Sequence, residues 1–216
     1  NVFNFFIVSG SFAFVKKAAT VSVLYTKGTV ATTDDVRTDT QVDLLTIGAS
    51  NVNAFAGMNG GTSDALGLEL TGVDFALALA TEKTTATAKR KWTALQAEAD
   101  DVSFVGVDGL TVSADTLSVE VNRSFTTTGA SAATTIIDFK TKTLDVQTGP
   151  TATLTLDMDG LEGNLIRATG NLDVNVFNFF SVSGSFAFVK KDATVSVLDT
   201  KGTVATTDDV RTDTQV

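Results

Sequence analysis

The sequence predicts an all-β fold, and three observations support this prediction. Threonine supplies 36 of the 216 residues, and β-branched residues are enriched in strands. Many short runs alternate apolar and polar residues, which is the pattern of a strand with one buried face. The first 42 residues also recur almost unchanged at the end of the chain, which indicates a tandem array of one folding unit.

This repeat is the strongest feature of the sequence. Residues 1–42 and 175–216 are related by an offset of 174 residues. We therefore divide the chain into one full period, residues 1–174, and the start of the next, residues 175–216. Because a buried, unpaired carboxylate is costly, we expect the positions that gain an aspartate in the second copy to be exposed. The two copies differ at three positions, which pair Ile7 with Ser181, Ala18 with Asp192 and Tyr25 with Asp199.

A weaker repeat divides the period into three. The stretch VNAFAGMNG at residues 52–60 is similar to VSFVGVDG at residues 102–109, and alternating runs follow each of them. A third, more diverged copy covers residues 165–188. We predict three sub-units of about 58 residues in each period.

Alternation predicts the strands in chain order. The first clear strand covers residues 66–70 and the next covers residues 73–79. The phase slips between them at Thr71 and Gly72, which indicates a turn or a β-bulge. Residues 93–101 contain good helix formers, but the segment is too short to predict a helix. Further strands are predicted at residues 105–107, 110–112, 117–121, 154–158, 172–176 and 195–197.

Phenylalanine is concentrated in the duplicated segment, which holds ten of the fifteen in the chain. A strand that is apolar on both faces is usually covered by other layers. Two interpretations stay open: these side chains belong to an ordinary core, or they pack between repeats or between chains. The ten residues are Phe3, Phe5, Phe6, Phe12, Phe14, Phe177, Phe179, Phe180, Phe186 and Phe188.

The composition argues against several classes of function. The chain has no histidine and no cysteine, so it lacks the usual general base, thiolate nucleophiles and the commonest zinc ligands. We therefore expect that it is not an enzyme. A net charge of −9 argues against nucleic acid as a partner, because phosphate binding needs clustered Lys and Arg. No run approaches about 18 apolar residues, so we expect no membrane-spanning helix.

The best ligand-like cluster lies between residues 157 and 164. Asp157, Asp159, Glu162 and Asn164 carry the oxygen ligands that calcium prefers, and Gly160 allows the loop to curve around an ion. The spacing of an EF-hand is absent, and the same residues suit an acidic β-turn. Calcium is therefore the one cofactor that the sequence suggests, with a plain turn as the alternative interpretation.

The duplicated stretches NVFNFF, SFAFVKK and TKGTVATTDDVRTDTQV occur in a chain rich in Thr, Val, Ala, Gly and Asp. In this the chain resembles the tandem-repeat region of giant bacterial extracellular surface proteins, which implies a secreted or cell-surface location. Each sub-unit has little core of its own, so we expect an elongated β-solenoid-like array in which neighbours bury each other's apolar faces. A string of β-sandwich domains is the alternative architecture.

Two functions are expected from this resemblance. The first is a structural repeat module of a secreted or surface fibre or matrix protein, which stacks or self-assembles through neighbouring repeats. The second is an adhesin module that binds glycans or a partner surface through its Thr-rich loops. These loops are predicted at residues 84–91, 126–135 and 203–215.

Overall fold

A computed structural model describes residues 5–126, 135–202, 207 and 209–216. The fold is all-β, as the sequence predicts, and a short 3-10 turn lies at Gly160–Glu162. The strands are β1 Phe6–Tyr25, β2 Val36–Met58, β3 Leu66–Glu82, β4 Arg90–Val105, β5 Leu110–Thr126, β6 Thr135–Ile137, β7 Leu144–Gln147, β8 Thr153–Leu156, β9 Leu165–Val176, β10 Phe180–Lys191, β11 Thr194–Asp199 and β12 Val210–Gln215.

Eight of these strands form one open antiparallel sheet. Strands β1 to β5 follow one another as a meander, and β9 and β10 continue the sheet beyond β5. The short strand β6 pairs with the end of β1 at the other side of the sheet. Two small sheets contain one pair each, β7 with β8 and β11 with β12.

The strands are longer than the alternation predicts, because bulges shift the alternation without ending the strand. Residues 66–79 lie in the single strand β3, and residues 93–101 lie in β4. Gly72 marks the phase slip with a φ of +60°, a conformation that glycine adopts at little cost. Its N–H donates to Oδ1 of Asn53 at 3.2 Å, which satisfies a group that the bulge removes from the ladder.

Three hairpin connections lie at the same end of the sheet, between β2 and β3, β4 and β5, and β9 and β10. The strand ends are aligned across the sheet: Gly67 lies opposite Val105, and Leu110 lies opposite Val176. The β1–β2 and β3–β4 connections lie at the other end. The division into three sub-units of about 58 residues stays a prediction, as does the boundary at residue 174.

Residues 135–164 form a cap over one face of the sheet, at the end opposite the three hairpins. Phe139, Val146 and Leu156 of the cap pack in one buried cluster with Trp92 and with valines and alanines of the sheet. Alanine and glycine let the cap approach closely: a Cβ added to Gly48 would lie 2.1 Å from the backbone oxygen of Gln147. The main core of the described chain is therefore the layer between the sheet and this cap.

A buried carboxylate fastens the cap to the sheet. Asp138, whose side chain is 1% exposed, accepts from Nε of Arg37 and from the hydroxyl of Thr141, both at 2.6 Å. The Gly160 N–H donates to the same carboxylate at 3.1 Å. Burial alone raises the pKa of Asp138, but the hydrogen bonds from Thr141, Arg37 and Gly160 outweigh it and lower the pKa. The carboxylate thus stays charged inside the fold.

The other face of the sheet carries apolar rows that cross it from β1 to β10, whereas towards the capped end the same face carries Lys16, Asp43, Lys91 and Arg123. Residues directly opposite on paired strands share a face, and their pairing connects rows of Phe, Leu, Val, Ile and Ala from β1 to β10. Leu68 is 42% exposed and Phe104 is 36% exposed. We call this surface the open apolar face; its larger side chains are Val8, Phe12, Phe14, Ile47, Leu68, Leu70, Phe75, Leu77, Leu79, Leu95, Val102, Phe104, Val112, Val119, Val121, Ile166, Leu172, Val174, Val182 and Phe188.

Candidate inter-repeat interface

Two copies of the same sequence lie near the two opposite edges of the sheet. Strand β1 belongs to the first copy, and β10 repeats its residues 6–17 in the second. The described phenylalanines of the duplicated segment are all exposed, from 38% for Phe186 to 95% for Phe179. Phe3 lies outside the described residues. In this chain the side chains are therefore at the surface rather than in the core beneath the cap.

The second copy reproduces the strand pairing of the first. Strand β11 pairs with β12 from Thr194 opposite Gln215 to Asp199 opposite Val210. Subtracting 174 from each number gives the pairing of β1 with β2, from Thr20 opposite Gln41 to Tyr25 opposite Val36. The two stretches, which differ only at Tyr25 and Asp199, thus adopt the same register in two different surroundings, which indicates that this register is determined locally.

The second copy also joins the sheet of the first. Strand β10 pairs with β9 over twelve residues, from Phe180 opposite Val176 to Lys191 opposite Leu165. A small residue faces a large one in this pairing: Gly170 lies opposite Phe186, and a Cβ added to it would lie 3.2 Å from Cε1 of that ring. The Phe-rich stretch of the second copy is thereby joined to the preceding strands by backbone pairing and not only by the covalent chain.

Among the described residues, each copy of the Phe-rich stretch, 6–17 and 180–191, pairs with a strand on one side only. Phe12 lies beside Ala49 of β2, and its counterpart Phe186 lies beside Gly170 of β9. Both rings are partly exposed, at 47% and 38% respectively. Taken together, the two copies show that this phenylalanine position can have a small residue on either neighbouring strand, Ala49 on β2 or Gly170 on β9.

The three substituted positions lie in different surroundings. Ile7 is half-buried and Ser181 is exposed. Ala18 is exposed, and its counterpart Asp192 accepts from Nδ2 of Asn164 at 2.7 Å. Tyr25 is half-buried, so the expectation of exposure is wrong there in the first copy. Its counterpart Asp199 is exposed and pairs with Lys201 at 2.5 Å.

Tyr25 is half-buried because Arg90 lies over it. The guanidinium stands 5.1 Å from the centre of the Tyr25 ring and 5.2 Å from that of Trp92, and Nη1 donates to the Tyr25 hydroxyl. Arg90 also pairs with Glu82 at 2.5 Å. Hydrogen bonding to Arg90 lowers the pKa of Glu82 despite partial burial. A cation beside position 25 gives a physical reason why an aspartate can replace the tyrosine there.

The predicted calcium ligands point to different protein groups. Asp157 accepts from Gln96 at 2.9 Å, and Asp159 accepts from the Leu161 N–H that begins the 3-10 turn. Glu162 binds Nη2 of Arg167 with both oxygens, at 2.5 and 2.7 Å. Oδ1 of Asn164 accepts from the Ser124 N–H, while its amide donates to Asp192. Within the described ranges no group of three acidic side chains could hold a metal ion.

Calcium binding at these residues stays a prediction, and chelation tests it. Bound calcium would stabilise the folded chain by mass action, so EDTA would lower the melting temperature. A melting temperature that EDTA leaves unchanged contradicts the calcium interpretation and leaves the acidic turn.

The Thr-rich segments lie at the capped end of the sheet where the structure describes them. Residues 83–89 connect β3 to β4, and residues 26–35 connect β1 to β2. The predicted loop at residues 203–215 is wrong over its last part, because 210–215 form strand β12, and the predicted loop at 84–91 is wrong at its end, because residues 90 and 91 begin β4. Residues 127–134 lie outside the described part. The polar, β-branched residues of 210–215 suit a solvent-exposed hairpin as well as a loop.

Comparison with protein-family models, curated proteins and solved structures finds no match to this chain. Among the described residues, no helix has the length and apolar character needed to cross a membrane.

Proposed function

We propose that the chain is a structural repeat module of a secreted or surface fibre or matrix protein. The observation that carries this proposal is the pairing of β9 with β10, through which the sheet of one period continues into the next. Stacking through a sheet needs no ligand and no catalytic group. The lack of cysteine and histidine and the resemblance to bacterial surface repeats agree with such a role.

The number of strands in one period supports an unlimited array. One period contributes six long strands, β1 to β5 and β9, before β10 repeats the sequence of β1. Because neighbouring strands are antiparallel and six is even, β10 runs in the same direction as β1. Each period can therefore be followed by another in the same orientation. We infer an elongated array that is solenoid-like in the sense that every repeat packs on its neighbours.

The open apolar face supports self-association. Contiguous exposed apolar patches larger than a few hundred Å² usually mark interaction sites, and two sheets can pack face to face at about 10 Å. Two arrays packed in this way would form a fibre or a matrix layer. If this face mediates association, replacing two of its exposed residues by lysine, Leu68→Lys and Phe104→Lys, should shift the sedimentation of the protein towards the monomer.

Chains with one, two and three periods followed by residues 175–216 test the proposal. A structural array predicts particles whose length grows by a constant increment per period and which associate into filaments without ligand. Particles of constant length, or chains that stay monomeric at every length, contradict it.

An adhesin module is the second candidate. The described loops at residues 26–35 and 83–89 lie at one end of the sheet and are rich in threonine. Hydroxyl groups gathered at one end could bind glycans. Specific binding of monodisperse protein to a glycan array, lost when threonines of these two loops are replaced by alanine, would favour this function over the first.

A further inference from the structure

The outer side of strand β1 presents an ordered row of main-chain groups. The Phe5 oxygen accepts from the Gly57 N–H of β2, so odd-numbered residues of β1 point their backbone groups towards β2. The Ser22 oxygen accepts from the Asp138 N–H on the opposite side. Even-numbered residues of β1 therefore point outward, and among the described residues no strand pairs with this edge between Phe6 and Lys17.

The second copy shows which strand this edge accepts. Phe180 is the counterpart of Phe6, and it pairs with Val176 of β9. The Phe177 N–H donates to the Gly109 oxygen, so odd-numbered residues of β9 face β5 and even-numbered ones face β10. The even-numbered residues of β10, which are the counterparts of the outward-pointing residues of β1, therefore have backbone groups that face β9. Strands β1 and β10 share one sequence, but β1 pairs through one edge with β2 and β10 pairs through the opposite edge with β9. A single strand of this sequence can therefore pair on both edges at once.

We propose that the outer edge of β1 is a strand-acceptor site for strand β9 of a neighbouring copy of this repeat. The register is that of β9 with β10, with Phe6 opposite Val176 and Lys17 opposite Leu165 of the neighbour. This inference rests on the proposed function and adds its partner and its register. In the resulting sheet β1 lies between β9 of one period and β2 of its own.

The side chains along the edge fit this occupant. Phe12 would lie between Ala49 of its own β2 and Gly170 of the neighbour, which leaves room for the ring on both sides. Lys17 would meet Glu162 of the neighbour, as its counterpart Lys191 does here at 3.7 Å. An exposed edge without such a partner is a liability for uncontrolled pairing.

The remaining part of the edge is compatible with this pairing. Strand β6 occupies β1 only from Val23 to Tyr25, whereas β9 pairs as far as the counterpart of Lys17. The cap also reaches Ser22, whose oxygen accepts from the Asp138 N–H, so four residues, 18–21, separate the two sites. The cap and the neighbouring repeat can therefore bind the same strand side by side.

Disulfide trapping on the full chain tests the site, because the protein contains no cysteine. The probe is a synthetic peptide of residues 165–176 with cysteine at position 169, which the register places opposite Ala13. Opposite residues in a non-hydrogen-bonded antiparallel pair have Cα atoms about 4.5 Å apart, within the range that a disulfide spans. The acceptor is the full chain with Ala13→Cys.

The second copy supplies a matched control. Ala187 is the counterpart of Ala13, but it already faces Thr169 of its own chain. The chain's own β9 is joined to β10 by a short connection, so it competes with the peptide for β10 at an effective concentration of about 1 mM. With peptide at about 0.1 mM, trapping at Ala13→Cys should exceed trapping at Ala187→Cys by at least about tenfold. A peptide with cysteine at position 171 tests the register and should trap at Ala13→Cys more slowly.

Equal trapping at the two positions, no trapping at position 13, or trapping that ignores the position of the peptide cysteine would each overturn the inference. Circular dichroism of both variants verifies that each retains the sheet. A failure of this test is distinguishable from a failure of the proposed function, which is decided by particle length and filament formation.

Discussion

Replacing Asp138 by alanine should loosen the cap from the sheet. The variant loses the ion pair with Arg37 at 2.6 Å, the hydrogen bond from Thr141 and the one from the Gly160 N–H. It leaves the arginine without its buried partner and Gly160 with an unsatisfied N–H. Both changes should lower the free energy of unfolding, because they weaken the attachment of residues 135–164 to strand β2.

The magnitude comes from the burial of the two partners. Breaking a fully buried ion pair by removing one member costs about 3–5 kcal/mol. Here the carboxylate is 1% exposed, but the Arg37 side chain is 37% exposed and regains water. We therefore expect a loss at the lower end, about 3 kcal/mol in the free energy of unfolding.

Denaturant unfolding followed by tryptophan fluorescence measures this loss. Trp92 is the single tryptophan of the chain, is 1% exposed and shares a cluster with Phe139 of the cap. Asp39→Ala is the matched control, because Asp39 also links β2 to the cap but pairs with Lys142 at 3.7 Å while 68% exposed. Such a pair contributes about 0.5 kcal/mol.

A difference below about 1 kcal/mol between the Asp138 variant and the control would refute the reasoning. It would mean that the apolar contacts and the other hydrogen bonds of the cap, such as those of Asp157 with Gln96 and of Asn164 with Ser124, hold it without Asp138.

Three further predictions follow from the same contacts. The pKa of Asp138 is lower in the folded chain than in the unfolded chain, so the unfolded chain binds more protons between the two pKa values. The stability from this group is therefore present above about pH 4 and is lost as the pH falls through the folded pKa. When the free energy of unfolding is measured as the pH is lowered, Asp138→Asn should lose less of it than the unchanged chain, and an equal loss contradicts this. Tyr25→Asp should cost less than about 1 kcal/mol, because Arg90 lies beside it, whereas Tyr25→Ala should cost more; thermal melts in which both variants lose equal stability would contradict a compensating ion pair. Gly10→Ala should destabilise more than Gly184→Ala, because a Cβ at Gly10 would lie 2.8 Å from the Val52 Cα and one at Gly184 meets nothing within 4 Å; equal midpoints in urea would show that the contact with Val52 is unimportant.

Features that depend on local pattern were predictable from the sequence. Alternation and threonine content predict strands because each strand needs one face buried and one face exposed. The shared register of β1–β2 and β11–β12 shows how much of the pairing is determined by neighbouring residues. The lengths of the strands were not predictable, since a bulge at Gly72 moves the apolar residues to the other phase and imitates the end of a strand.

Features that depend on distant contacts were not predictable in the same way. Asp138 follows Ile136 and Ile137 and precedes Phe139, so an aspartate inside an apolar run was the available signal for a buried ion pair. Its partner Arg37 lies 101 residues earlier, and no spacing rule connects them. The acidic cluster at residues 157–164 illustrates the converse, because its members are close in sequence but bind groups of other strands.

The open apolar face was visible in the sequence only as separate runs. Leu77 and Leu95 become neighbours because β3 and β4 pair with one register, and the same holds across the five other strands of this face. An amphipathic sheet of this size is a property of the pairing, so the sequence alone suggested a stack of small cores instead.

The continuous sheet is tested most directly by imaging a chain of several tandem periods by electron microscopy. Six strands per period at about 4.8 Å predict that each added period lengthens the particle by about 29 Å, without a constriction at the joint. A compact domain of 174 residues has a diameter of about 40 Å. Beads of that size, separated by narrow joints, would contradict the account.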